Sequence, residues 1–213
     1  MKKCYFIIFC LLLCIGCSNL DNQSEEENIS LPRTIKSTYF KTIEGDEKLK
    51  ILSLDDFKNF KDLVSEMTKI VHRGEIAGIL FKANNTEYKL TGYPNAGGCY
   101  FRRTFIDIEN DSLVSFENGE LKEKSIHYLR NELESIMSKP YNFVYKQNKV
   151  KSAVIFLHID DRYDIEMTKV VLKEILDNFN EINKANGEGF YEYFISFNSF
   201  PFPRIPPPPP LPN

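Results

Sequence analysis

Tryptophan is absent from the 213 residues, and cysteine is nearly confined to one end: Cys4, Cys10, Cys14 and Cys17 open the chain, and only Cys99 follows. A single later thiol cannot close an intrachain disulfide or supply a cysteine-rich metal site, so stability must come from a packed core. Long apolar runs are missing as well. The longest, Cys4 to Ile15, spans about a dozen residues, where a membrane-crossing helix needs roughly 18–20. There is no basic excess: 27 Lys and Arg stand against 30 Asp and Glu, for a formal charge of −3. Without a basic cluster the chain is a poor nucleic-acid binder. The glycine pair Gly97-Gly98 is followed by Cys99-Tyr100, not by the Gly-Lys-Ser/Thr that a phosphate-cradling loop requires. What the chain does have is 17 Phe and 11 Tyr within a hydrophobic content of 42% and a charged content of 27%. That is an ordinary globular balance, rich in rings that fill a core or line a contact surface.

The first seventeen residues have a clear layout. Lys2 and Lys3 precede the apolar run, Gly16 and Cys17 close it, and Ser18, Asn19, Asp21 and Asn22 turn polar at once. A charged start, a short apolar middle and a small residue before the cut describe a secretory signal. The ending Leu13-Cys14-Ile15-Gly16-Cys17 resembles the lipobox of bacterial lipoproteins, with cysteine in the place where leucine is usual. The resemblance implies a signal peptide over 1–16 and lipidation of Cys17, whose several acyl chains would hold the protein permanently in a membrane. It also implies a cell-envelope location: the outer membrane in a Gram-negative cell, given Ser18, or the surface, given the acidic run Ser24-Glu25-Glu26-Glu27.

Residues 17–37 read as a polar tether, 38–200 as the globular region and 201–213 as a proline-rich tail. Within the globular region two units of fold, about 38–100 and 101–200, are one possible division. Apolar residues at three- and four-residue spacing (Phe57, Phe60, Leu63, Met67, Ile70) predict a helix over 54–72. Similar stripes predict helices over 123–138 and 165–183, the last capped by Asp164. Strands are expected at 48–52, 75–82, 86–91, 100–108, 113–116, 152–159 and 190–197, with Tyr39 to Ile43 a further candidate. Asn84-Asn85 suits a hairpin turn, and the continuous apolar run Ser152 to Ile159 suits the centre of a sheet. The fold class is α+β: a mixed or antiparallel sheet packed against about three helices. The tail, with Pro206 to Pro210 unbroken, favours extended polyproline II, which docks at little entropic cost and offers itself to an envelope protein partner.

Two stretches, SLVSFENGELKEKSIHYLRNELESIM and KSAVIFLHIDDRYDIEMTKVVLKEILDNF, resemble the periplasmic domain of the biopolymer-transport (ExbD/TolR) family. The common pattern is a hairpin, a helix, an apolar strand ending in aspartate, a tyrosine and a second helix. It implies a small sheet backed by two helices over about 104–198. The transmembrane helix and proton-coupling aspartate of that family have no counterpart in these stretches.

Polar side chains that look like a site are few. His158, Asp160, Asp161 and Asp164 sit at the end of the strongest strand, where α/β folds often place function. They offer a hard-metal or acid/base site, or else a turn and a helix cap. Arg102 and Arg103 suit an anionic glycan or a carboxylate, or a solvated strand face. Cys99 is a thiol nucleophile if His127 or His158 serves as its base, and otherwise a small apolar residue. No metal centre and no cofactor is called for. Two functions are carried forward: a lipid-anchored, non-catalytic binding or assembly protein, and a small envelope hydrolase using Cys99 or the Asp160/Asp161 region.

Overall fold

The computed structural model describes residues 33–96, 103–117 and 120–201. The signal segment with Cys17, the Cys99 and Arg102 positions and the proline tail beyond Pro201 lie outside them. Two strand–helix–strand units set the frame. In the first, β2 (Leu49–Ser53), α2 (Phe60–His72) and β3 (Ile76–Ala83) follow in order, with β2 parallel to β3. In the second, β8 (Val150–His158), α4 (Ile165–Asn186) and β9 (Tyr191–Phe197) repeat the pattern. Between them run β4 (Thr86–Pro94), β5 (Thr104–Glu109), β6 (Ser112–Glu117), β7 (Glu120–Ser125) and α3 (Leu129–Met137). Together with β1 (Arg33–Lys36) and the short α1 (Thr38–Ile43), the described residues form a nine-stranded mixed sheet and four helices, an α+β fold.

The sheet order is β2-β3-β4-β9-β8-β5-β6-β7. Strands from both halves of the globular region therefore share one sheet. The four central strands, β4, β9, β8 and β5, are mutually parallel, and antiparallel partners flank them on each side. β8 holds the central place its unbroken apolar sequence predicts, with a parallel neighbour on either side. β7 closes one edge with Glu120, Lys122, Glu123 and Lys124, charges that keep an edge strand from recruiting another chain.

β4 is unusual in its pairing. β3 covers one of its edges, but the other is shared: β1 takes residues 86–89 and β9 takes 92–94. The handover occurs at Ser37, whose N–H donates to the Lys89 carbonyl (2.9 Å) and whose hydroxyl accepts from Phe40 N–H to start α1. The chain thus leaves the sheet where β9 enters. β9 needs room there, and Gly92 supplies it: a Cβ at this position would lie 2.2 Å from the Phe197 ring.

The core occupies one face of the sheet. Ala77, Ile79, Leu90, Ile106, Ala153, Ile155, Leu157, Tyr191 and Ile195 alternate toward it, and α2, α3 and α4 close over them with Phe60, Met67, Leu133, Leu172, Ile175 and Phe179, all nearly inaccessible to solvent. Phe179 packs against both Tyr191 and Tyr193, at centroid separations of 5.0 and 4.1 Å. The opposite face is covered at the β3 end by α1, whose Phe40 meets Leu49 and Ile51 around Gly78.

Several sequence expectations change. Arg33–Lys36, at the end of the expected tether, is a sheet strand with Ile35 in the core. Tyr39 to Ile43 is helical rather than extended, because the Ser37 cap commits the chain to a turn and Phe40 needs the sheet beneath it. The helix expected over 54–72 divides: a single 3₁₀ turn at Leu54–Asp56 buries Leu54, and Asn59 then caps α2 by accepting from Asp62 N–H. Residues 120–125, partly assigned to the next helix, pair with β6 instead. The helical segment begins after Ser125, which accepts from His127 N–H. Charged residues at consecutive positions carry no helical stripe, so the hairpin partner decides their conformation.

Candidate functional site

Pairing across the central strands arranges the second face in rows. Phe105, Val154 and Phe194 lie side by side. Asp107, Phe156 and Ser196 form the next row, which Tyr93 continues on β4. Arg103, Ser152 and Glu192 stand one residue before the Thr104–Ala153–Tyr193 row. At the other end are Glu109 and its partner His158, with Asn198 just past β9. Polar and aromatic side chains thus share the face opposite the core.

A cleft of about 520 Å³ opens at the Arg103 end. α1 contributes Thr38, Tyr39 and Thr42 to it, β9 contributes Glu192, Tyr193 and Phe194, and Tyr93, Ser152 and Arg103 lie beside them. Tyr93 stacks on Phe194 with ring centroids 5.2 Å apart and planes inclined by 29°. Its hydroxyl lies 3.4 Å from that of Tyr39. That hydrogen bond, together with burial, pushes the Tyr93 phenol up to about 12, so it keeps its proton at any physiological pH. The site is fixed by secondary structure: the hydroxyls of α1 are placed by the Ser37 cap, and the strand residues by register.

A second, much smaller cavity of about 10 Å³, the size of one water, lies between Asp107, Glu109, Phe156, His158 and Asn198. One Asp107 carboxylate oxygen is buried there without a hydrogen-bond partner, the one carboxylate in this condition among the described residues. Burial pushes the carboxyl up to about 6. The His158 ring faces a carbonyl: its Nδ1 is 2.9 Å from Asn198 O. A carbonyl only accepts, so Nδ1 carries a proton and donates it to Asn198 O.

The residues singled out from the sequence are only partly brought together. His158 lines the small cavity, but Asp160 and Asp161 point to other work. Asp160 accepts from Arg162 N–H and pairs with the Arg162 guanidinium at 3.4 Å, while its own N–H donates to Asn110 Oδ1. Asp161 pairs with Lys61 at 3.1 Å. Asp164 caps α4 through Glu166 N–H. These carboxylates make a turn, a surface ion pair and a helix cap. His127, the other histidine considered as a base, sits exposed, 3.5 Å from a Glu174 oxygen. Arg103 lines the cleft, whereas Arg102, Cys99 and Cys17 lie outside the described residues. No group of three or more His, Cys, Asp or Glu among the described residues is arranged to hold a metal ion.

Sequence reasoning missed Tyr39, Tyr93, Ser152, Glu192 and Asp107. The available signal was period two: in Arg103-Thr-Phe-Ile-Asp-Ile-Glu109 the apolar Ile106 and Ile108 alternate with residues that must share the other face. No protein-family model, no curated protein and no solved structure matches the chain.

Proposed function

We propose that the protein is a lipid-anchored component of the cell envelope, attached through Cys17, with a non-catalytic binding role served by the cleft between α1 and the second sheet face. The carrying observation is the cleft. It has the volume of small-molecule sites, about 300–1,000 Å³, stacked aromatic rings on one side and hydroxyls converging from α1, β4 and β8. Supporting it, Asp160, Asp161 and Asp164 are engaged in a turn, an ion pair and a cap. The layout of Met1 to Cys17 supports the anchor. The proline-rich tail is the stretch this reading offers to an envelope protein partner.

Mass spectrometry of the mature protein tests the anchor. The expected N-terminus is an acylated Cys17, and Cys17→Ser should leave the protein unprocessed or release it from membranes. An unmodified, free-amine N-terminus would refute the lipid attachment. A turnover that survives purification and depends on one described side chain would refute the non-catalytic role.

A further inference from the structure

Resting on the cleft as a binding site, we infer that its ligand class is a neutral saccharide, seated with a ring face on Tyr93 and Phe194 and its hydroxyls directed to Thr38, Thr42, Tyr39, Ser152, Arg103 and Glu192. Three properties of the cleft lead to this class. First, Tyr93 and Phe194, stacked at 5.2 Å with planes inclined by 29°, both line the cleft and give it one aromatic wall. Aromatic faces carry negative quadrupole charge and attract the weakly positive C–H groups of a sugar ring face. Second, the surrounding groups are mostly hydroxyls, which donate and accept, and they come from α1, β4 and β8. Thr42 already donates to the Tyr39 carbonyl at 2.7 Å and Tyr39 pairs with Tyr93, so a wholly apolar ligand such as a fatty acid tail would bury the Thr38 and Ser152 hydroxyls without pairing them, which costs affinity. Third, the charged lining residues among the described residues are one cation and one anion, Arg103 and Glu192. A phosphate or polyanion site concentrates positive charge, and here Glu192 opposes it. A neutral ligand with an apolar face and many hydroxyls satisfies all three. The Tyr39–Tyr93 hydrogen bond of 3.4 Å pre-orients two of the hydroxyls before the ligand arrives.

The test is titration calorimetry of the purified full chain, held in a detergent without a sugar headgroup. The neutral probes are chitotriose, cellotriose and maltotriose, and trigalacturonate and octanoate are the comparators. Each is carried to about 10 mM, enough to saturate even a millimolar site. At least one neutral trisaccharide should bind more tightly than both comparators. Tyr93→Ala should weaken that binding more than tenfold. Tyr93→Phe, which keeps the stack and loses only the hydroxyl, should weaken it by about fivefold, the worth of one hydrogen bond. Circular dichroism on each variant excludes unfolding as the cause. Octanoate or trigalacturonate binding more tightly, with loss in Tyr93→Ala, would overturn the saccharide class while leaving the cleft a binding site. Silence from all five probes, or neutral binding untouched by Tyr93→Ala, would overturn both.

Discussion

The two faces of the sheet are built from the same strands and differ in almost every other respect. The core face is mostly aliphatic and aromatic, with Thr168 a buried exception: three helices cover it, and Val171, Leu172, Ile175 and Phe179 of α4 are wholly buried. The other face mixes Phe105 and Phe194 with Asp107, Glu192 and Ser152, and its helix in the described residues is the six-residue α1. Hydrophobic burial explains most of the first face, although Thr168 Oγ1 and the Tyr191 hydroxyl are buried there without partners. On the second, a carboxylate sits with an unpaired buried oxygen and a cleft is lined by hydroxyls, arrangements that lower stability and so point to use rather than architecture.

The largest expected contrast comes from matched truncations. Phe179→Ala on the core face should cost about 3–5 kcal/mol, because the ring is fully buried between Tyr191 and Tyr193. Phe105→Ala, at 51% exposure on the other face, should cost about 1 kcal/mol. Urea denaturation midpoints of the two variants give the comparison, and equal losses would break it. Next, Gly92→Ala tests whether β9 can still join the second half of β4. Its Cβ would meet the Phe197 ring and the Ile195 carbonyl at 2.2 and 2.8 Å, so a loss of about 1–3 kcal/mol is expected. A wild-type melting temperature would show that the strands can separate freely there.

Asp107 gives a smaller, pH-dependent effect. Its folded carboxyl titrates at about 6 because burial penalises the charge, against about 3.9 when unfolded. The folded state therefore holds the proton more tightly, and stability is fullest below pH ~4 and falls as pH rises through about 6. Asp107→Asn should flatten this fall and gain about 1–2 kcal/mol near neutrality, after allowing for the partial solvent access of the group. Denaturation curves at several pH values measure it, and parallel profiles for variant and wild type would show that Asp107 is not the source. The smallest effect belongs to the acidic turn: Asp161→Ala removes an exposed pair with Lys61 and should change stability by less than about 0.5 kcal/mol in the same assay. A larger loss would give the 158–164 segment a role that its geometry does not.

Legibility in the sequence follows the same division. The core face was readable because apolar periodicity records what is buried: the stripe through Thr168, Val171, Leu172, Ile175, Phe179 and Ile182 defines α4, and Ser152 to Ile159 places β8 at the centre of the sheet. β1 escaped notice because four residues beside a polar stretch carry too little pattern, and their strand conformation depends on a partner fifty residues away in β4. β7 was hidden in the same way, its charges suiting an edge strand or a helix surface equally well. Of the cleft, Arg103 alone was readable. Tyr39, Tyr93, Ser152 and Glu192 are far apart in the chain, and strand order alone brings them together, a property that periodicity does not encode. The acids at 160–164 carry two readings in the sequence, a site or a turn and a helix cap, because turn-forming and cap-forming aspartates use the same residue type as catalytic ones, and the contacts of Asp160 and Asp164 are those of the turn and the cap.

The shared edge of β4 has a consequence in mechanics. The chain enters the described structure at Arg33, and β1 lies parallel to β4 with four paired residues before the Ser37 turn. A pull on the preceding segment, directed along the strand, would load those backbone bonds together in shear rather than peel them one at a time. Ile35, held in the core at 3% exposure, would resist the same displacement. Behind β1 the load passes into β4, whose other pairings to β3 and β9 spread it across the middle of the sheet. Any load that enters the described structure at Arg33 therefore meets this short strand first.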